Sequence, residues 1–206
     1  MHDLIALFKK VYDVEGIVRW GGLAALVGIV FAETGLLAGF FLPGDSLLVT
    51  AGIYCNPITP GEPPLLNIFL INVLVIAAAI AGDTVGYWIG AKSGTRLFTR
   101  EKSLFFSKKH LLRTQEFYEL HGGKTIIIAR FMPFARTFAP VVAGIGRMRY
   151  RRFLAFNVVG AVGWVVSMTM LGFLLSRKFP TMNKQIDKVI IVIIGVSLLP
   201  AAISRS

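Results

Sequence analysis

Charged and apolar positions are sharply segregated along this chain. No charge occurs over residues 21–32, and after Glu33 none appears until Asp45. Further uncharged runs cover 63–82, 153–176 and 189–203. A helix that crosses a bilayer needs about 20 mostly apolar residues, with roughly 17 as the lower limit. The runs at 63–82 and 153–176 meet that length. The run at 21–32 meets it only if Glu33 lies inside the membrane or the chain turns back, and the run at 189–203 is marginal. The pattern predicts an all-α membrane protein in a single domain over 1–206. Its elements are an N-terminal segment and first helix (1–32), a transmembrane helix (63–91) and two C-terminal transmembrane helices (153–176 and 189–204).

The polar residues between these runs suggest an orientation. Lys92, Arg96, Arg100, Lys102, Lys108, Lys109, Arg113 and Lys124 stand against Glu101, Glu116 and Glu119, and Arg147, Arg149, Arg151 and Arg152 cluster further on. Basic loops favour the cytoplasmic side. Residues 53–64 hold no Lys or Arg and contain Pro57, Pro60, Pro63 and Pro64, so they should face outward, which puts the N-terminus inside. The basic residues Arg177, Lys178, Lys184 and Lys188 fit this count badly.

The apolar segment 124–147 has basic flanks that want the same side, so a single span does not satisfy it. A re-entrant hairpin does, broken at Pro133 and Pro140. Residues 33–52 have the same character, with Pro43-Gly44 at the turn. An arm of about 10 residues covers ~15 Å, half the hydrocarbon core. Phe41-Leu42-Pro43 with Ala51-Gly52 echoes Phe131-Met132-Pro133 with Ala143-Gly144, as in an inverted repeat. Broken helices at matching places in two halves mark the site region of many transporters. Residues 104–120 interleave Leu and Phe with Lys, Arg and Glu, the pattern of an amphipathic helix on the cytoplasmic surface or on the protein's own cytoplasmic face.

Composition narrows the function. Of 206 residues, 55% are hydrophobic and 16% charged, with a net charge of +11. In a soluble protein that charge would suggest nucleic acid. Here the basic residues lie between apolar runs, and the positive-inside rule with anionic headgroups explains them first. The N-terminal 20 residues carry Asp3, Asp13 and Glu15 and do not read as a cleavable signal. One cysteine, Cys55, excludes an intramolecular disulfide, and His2, His110 and His121 lack metal spacing. No nucleophile elbow, Walker motif or zinc-protease motif is present, so neither an enzyme nor a cofactor is implied.

Ionisable residues inside apolar membrane segments are costly and are functional candidates by default. Glu33, Asp45, Asp83, Arg130 and Arg136 answer that description. Low dielectric favours the neutral form of a carboxylate, which suits Glu33 and Asp45 to proton coupling or gating. Asp45 also reads as a helix cap after Pro43-Gly44. Arginine stays charged and offers a planar fork that fits phosphate, so Arg130 and Arg136 are the candidate headgroup ligands. The plainer reading pairs these arginines with Glu33 and Asp45 to hold the hairpins together. Gly82, Gly86 and Gly90 form a small-residue stripe beside Asp83, which makes a structural hydrogen-bonding role at least as apt for that acid. Asp83 and Asn157 are candidates for a supporting role, although Asn157 and Trp164 read first as structural.

The segments FAETGLLAGFFLPGDSLLVTAG, GDTVGYWIG, HGGKTIIIARFMPFARTFAPVVAG and FNVVGAVGW together resemble the DedA family, also called SNARE-associated or VTT-domain membrane proteins, and most closely its bacterial branch. The resemblance implies two oppositely facing re-entrant helices between transmembrane helices. It also implies lipid movement across the bacterial inner membrane, of undecaprenyl phosphate or phospholipid, with dependence on the proton-motive force. The family's essential acids and arginines fall on Glu33, Asp45, Arg130 and Arg136.

The implied partners are a membrane lipid (polyprenyl phosphate or phospholipid) and protons, with no nucleic acid; homo-oligomerisation stays open. Rival readings are a proton-coupled antiporter for small cations or drugs, a non-transporting membrane scaffold and an intramembrane phosphatase.

Overall fold

A computed structural model describes residues 14–35, 44–57, 63–97 and 122–178. All regular structure among them is helical: α1 (Val14–Gly35), α2 (Gly44–Ile53), α3 (Ile68–Leu97), α4 (Gly122–Ala129), α5 (Pro133–Ile145) and α6 (Tyr150–Lys178). The amphipathic helix expected over 104–120, the last membrane helix over 189–204 and Pro43 at the first turn lie outside the described residues.

α3 and α6 are the two described helices long and apolar enough to cross a membrane, over Ile68–Ser93 and Tyr150–Lys178. α3 starts later than its apolar run because Asn67 caps it. The Asn67 Oδ1 accepts from the backbone N–H of Phe69 at 2.9 Å and of Leu70 at 3.2 Å. Along α3 the buried positions Ile71, Val75, Ala78, Ala79, Gly82, Asp83, Gly86, Tyr87 and Gly90 recur at helical spacing. Its other face is also apolar: Phe69 is 81% exposed, and Val73 and Trp88 are open as well. α6 repeats the arrangement, burying Phe153, Asn157, Trp164 and Val165 and exposing Val159, Val162 and Leu174. A helix that exposes hydrophobic residues on the face turned away from its partners suits lipid rather than water.

The chain forms two compact units, and α1, α3 and α6 contribute to both. One contains α2, the start of α3 and the end of α6. There α2 and α6 meet backbone to backbone at glycines. A Cβ on Gly52 would lie 2.1 Å from the Thr169 carbonyl oxygen, and one on Gly172 would lie 1.9 Å from that of Val49. Polar side chains tie α6 to its neighbours: Asn56 Nδ2, just past α2, donates to the Phe173 carbonyl at 2.8 Å, and Thr169 Oγ1 donates to Asn72 Oδ1 of α3 at 3.0 Å. Asp45 sits in the first turn of α2, where a carboxylate opposes the helix dipole.

The other unit contains residues 31–40 and 76–164. Of the two breaks expected in this apolar segment, the one at Pro133 occurs, whereas the helix that follows runs straight through Pro140. α4 ends in a tight turn over 130–132, and α5 starts at Pro133, whose fixed φ and missing N–H suit a first helical position. α5 ends in a Schellman motif. The N–H of Met148 donates to the Ala143 carbonyl and that of Arg147 to Gly144, both at 3.1 Å, with Arg147 in the left-handed region at φ 52°. The stripe Gly82–Gly86–Gly90 does what its spacing suggests. A Cβ on Gly90 would lie 2.0 Å from the Val141 carbonyl oxygen, and one on Gly82 would lie 2.0 Å from Thr34 Oγ1. α3 thus presses its backbone against α5 and the end of α1. Tyr87 of α3, Ile126 of α4, Ala143 of α5, Phe153 of α6 and Met148 form the buried core of this unit.

Candidate functional site

The close helix contacts of the second unit enclose four charged side chains. Glu33 lies in the last turn of α1, Asp83 on α3 next to Gly82, Arg130 in the turn after α4, and Arg136 in the second turn of α5. All four are buried, none more than 8% exposed. Arg136 Nη2 donates to Glu33 Oε1. Arg130 Nη2 donates to both Asp83 Oδ2 and Asn157 Oδ1. Arg136 also acts electrostatically on Asp83 and Arg130, so the two ion pairs form one cluster. Two cations and two anions sum to zero. That balance makes such burial tolerable, since an isolated buried charge is strongly destabilising.

Neutral groups from α6 complete the cluster. The Asn157 side-chain amide accepts from Arg130 and donates to the Ile80 carbonyl at 3.3 Å. The Arg136 guanidinium carbon stands 4.8 Å from the centre of the Trp164 ring, within cation–π range. Arg130 Nε and Thr137 Oγ1 are buried and have no hydrogen-bond partner among the described residues.

The structure therefore brings together five of the six sequence candidates: Glu33, Asp83, Arg130, Arg136 and Asn157. Asp45 belongs to the other compact unit. Pairing of the arginines with Glu33 and Asp45 is observed for Arg136 and Glu33, whereas Arg130 takes Asp83. Trp164, read from sequence as structural, touches Arg136. The signal for it was spacing: Asn157, Gly160 and Trp164 lie at i, i+3 and i+7 and so share one face of α6. Among the described residues, no group of three or more His, Cys, Asp or Glu is placed to hold a metal ion.

Long apolar helices with hydrophobic outer faces and charges paired inside define a helical membrane protein. The sequence profile of the VTT domain matches residues 42–174. The chain is 47% identical over 180 residues to the protein DedA of Escherichia coli K12, an alignment covering 87% of this chain and 80% of that protein. It is 44% identical over 189 residues to an uncharacterized membrane protein of Mycobacterium tuberculosis H37Rv, covering 90% and 80% of the two chains. It is also 34% identical over 149 residues to the inner membrane protein YqjA of Escherichia coli K12, covering 72% and 65%. The chain belongs to the VTT-domain (DedA) family. No solved structure matches it.

Proposed function

We propose that this chain is a flippase- or scramblase-like lipid transporter of the bacterial inner membrane. In this reading it carries a lipid by its phosphate, that of undecaprenyl phosphate or of a phospholipid, while the apolar tail stays in the bilayer. The observation that supports this most is the buried, charge-balanced cluster of Arg130 and Arg136 with Asp83 and Glu33. Guanidinium forks that bind carboxylates also bind phosphate. A phosphate entering the cluster replaces the carboxylates as the arginines' partner, and a released carboxylate then becomes neutral by taking a proton. Proton uptake on one side and loss on the other couples lipid movement to the proton gradient. Glu33 is the gating acid on this route, and Asp45 is a second coupling acid. The protein performs no bond chemistry and uses no cofactor.

The reading extends to topology. The chain crosses the membrane several times with its N-terminus in the cytoplasm, and 33–52 and 124–147 enter from opposite faces as re-entrant hairpins. A cysteine at Glu62 should react with an impermeant thiol reagent from the periplasm, and one at Lys102 only from the cytoplasm. The reverse pattern would overturn that orientation.

The same ion pairs support a second reading, in which they simply lock the helices together. Reconstitution separates the two. Purified protein in liposomes should move labelled lipid phosphates across the bilayer and leave small cations unmoved. Arg136→Lys keeps the charge but loses the bidentate fork. It should therefore impair transport while the protein still inserts. Undiminished transport by both Arg130→Lys and Arg136→Lys would favour the structural lock.

A further inference from the structure

We infer that one face of α6, carrying Asn157, Gly160 and Trp164, is an uncharged frame that positions both guanidiniums for the lipid phosphate. The inference rests on the phosphate-carrying reading above and addresses a difficulty within it. A carboxylate that gives way to phosphate cannot also hold its arginine in place. Something neutral must do so, or the two arginines lose their geometry when they need it.

α6 supplies that hold at three successive levels of one stripe. Asn157 is itself fixed at both ends, accepting from Arg130 Nη2 and donating to the Ile80 carbonyl of α3. Its grip on Arg130 therefore does not depend on the charge of Asp83. One turn along, Gly160 lets the Arg130 side chain lie against the α6 backbone. A Cβ there would stand 2.9 Å from Arg130 Cδ and 3.3 Å from Nε. Nε is the buried N–H of Arg130 that lacks a partner among the described residues. Asn157 and Gly160 thereby assign the two edges of the guanidinium: Nη2 stays tied to Asn157 when Asp83 gives way, and Nε is left for a headgroup oxygen. One more turn along, the Trp164 ring lies against the Arg136 guanidinium at 4.8 Å, and the residue is 1% exposed. The attraction of a cation to an aromatic face survives protonation of Glu33, and it is strongest where water is absent. Asn157, Gly160 and Trp164 are positioning residues: they act on the phosphate through the arginines.

The test uses the full chain in proteoliposomes, with a fluorescent polyprenyl phosphate as probe, and the same chain labelled with 15N-arginine in micelles. Trp164→Leu is expected to lower probe transport about tenfold, the loss of one desolvated cation–π contact. Trp164→Phe, which keeps a ring, should remain within about threefold of wild type. Gly160→Ala should fall like Trp164→Leu, because its methyl displaces Arg130. Wild-type transport by Trp164→Leu and Gly160→Ala, or equal damage in Trp164→Phe and Trp164→Leu, would overturn the frame.

The Arg136 Nε–H resonance, assigned by its loss in Arg136→Lys, should carry a ring-current shift that shrinks in Trp164→Phe and vanishes in Trp164→Leu. An unshifted wild-type resonance would overturn the inference. This readout does not depend on transport. A wild type that moves no lipid phosphate but shows the shift would refute the carrying role and support the frame. Should Trp164→Leu fail to insert, the Trp164→Phe spectrum carries the test alone.

Discussion

Removing one member of the Arg130–Asp83 pair should cost far more than a membrane hydrogen bond, and removing both should cost little. Both side chains are 4% exposed, so neither charge can turn to solvent when its partner goes. Two unit charges about 4 Å apart attract by about 4 kcal/mol at an effective dielectric of 20. Most of that offsets the cost of removing the ions from water. Breaking such a pair from one side costs about 3–5 kcal/mol, whereas replacing both members with apolar side chains of similar volume is often neutral. Asp83→Leu strands Arg130 with only the Asn157 amide on Nη2, and Arg130→Met strands Asp83. Each single variant should lose about 3–5 kcal/mol and the double variant about 1 or less, for a coupling of about 5 kcal/mol or more. Polar pairs between membrane helices average about 0.6 kcal/mol with a maximum near 1.7, so the expected value lies outside the ordinary range. The assay is reversible unfolding in mixed micelles, followed by circular dichroism, for wild type, both singles and the double. A coupling below about 0.6 kcal/mol would refute the reasoning, because the buried Arg130 charge would then not need Asp83 as its countercharge. The double variant should fold and still fail to carry a lipid phosphate.

Three further outcomes are expected. Gly90→Ala brings a methyl to 2.0 Å from the Val141 carbonyl, forcing α3 and α5 apart. It should cost about 1–3 kcal/mol in the same unfolding assay. Gly86→Ala, whose Cβ would sit 3.4 Å from Pro140 Cβ, should be neutral or stabilising through helix propensity. Arg147→Gly relieves a left-handed residue in the Schellman motif and should raise stability by about 0.5–1 kcal/mol, read as a higher unfolding midpoint.

The helical class and the glycine seam were legible in the sequence because they rest on local periodicity. The uncharged runs mark α3 and α6, and a glycine at every fourth position of α3 marks the face that meets α5 and the end of α1. The costly intramembrane charges were legible one by one for the same reason. Their pairing was not. Glu33 and Arg136 are 103 positions apart and Asp83 and Arg130 are 47 apart, and nothing local distinguishes Asp83 from Asp45 as a partner for Arg130. Trp164 was hidden by its own chemistry. An aromatic residue on an apolar helix reads as core until a cation is found on its face. The start of α3 is set by Asn67, a cap that an apolar run does not reveal.

The central claim is that a lipid phosphate takes the arginines from their carboxylates. Infrared difference spectroscopy of the reconstituted protein, recorded as a polyprenyl phosphate is added, observes that exchange directly. A protonated-carboxyl band should appear with the lipid, weakened in Glu33→Gln and absent when the matching uncharged polyprenol is added. Lipid phosphate that binds or crosses while every carboxylate band stays unchanged would contradict the account and leave the ion pairs as a structural lock.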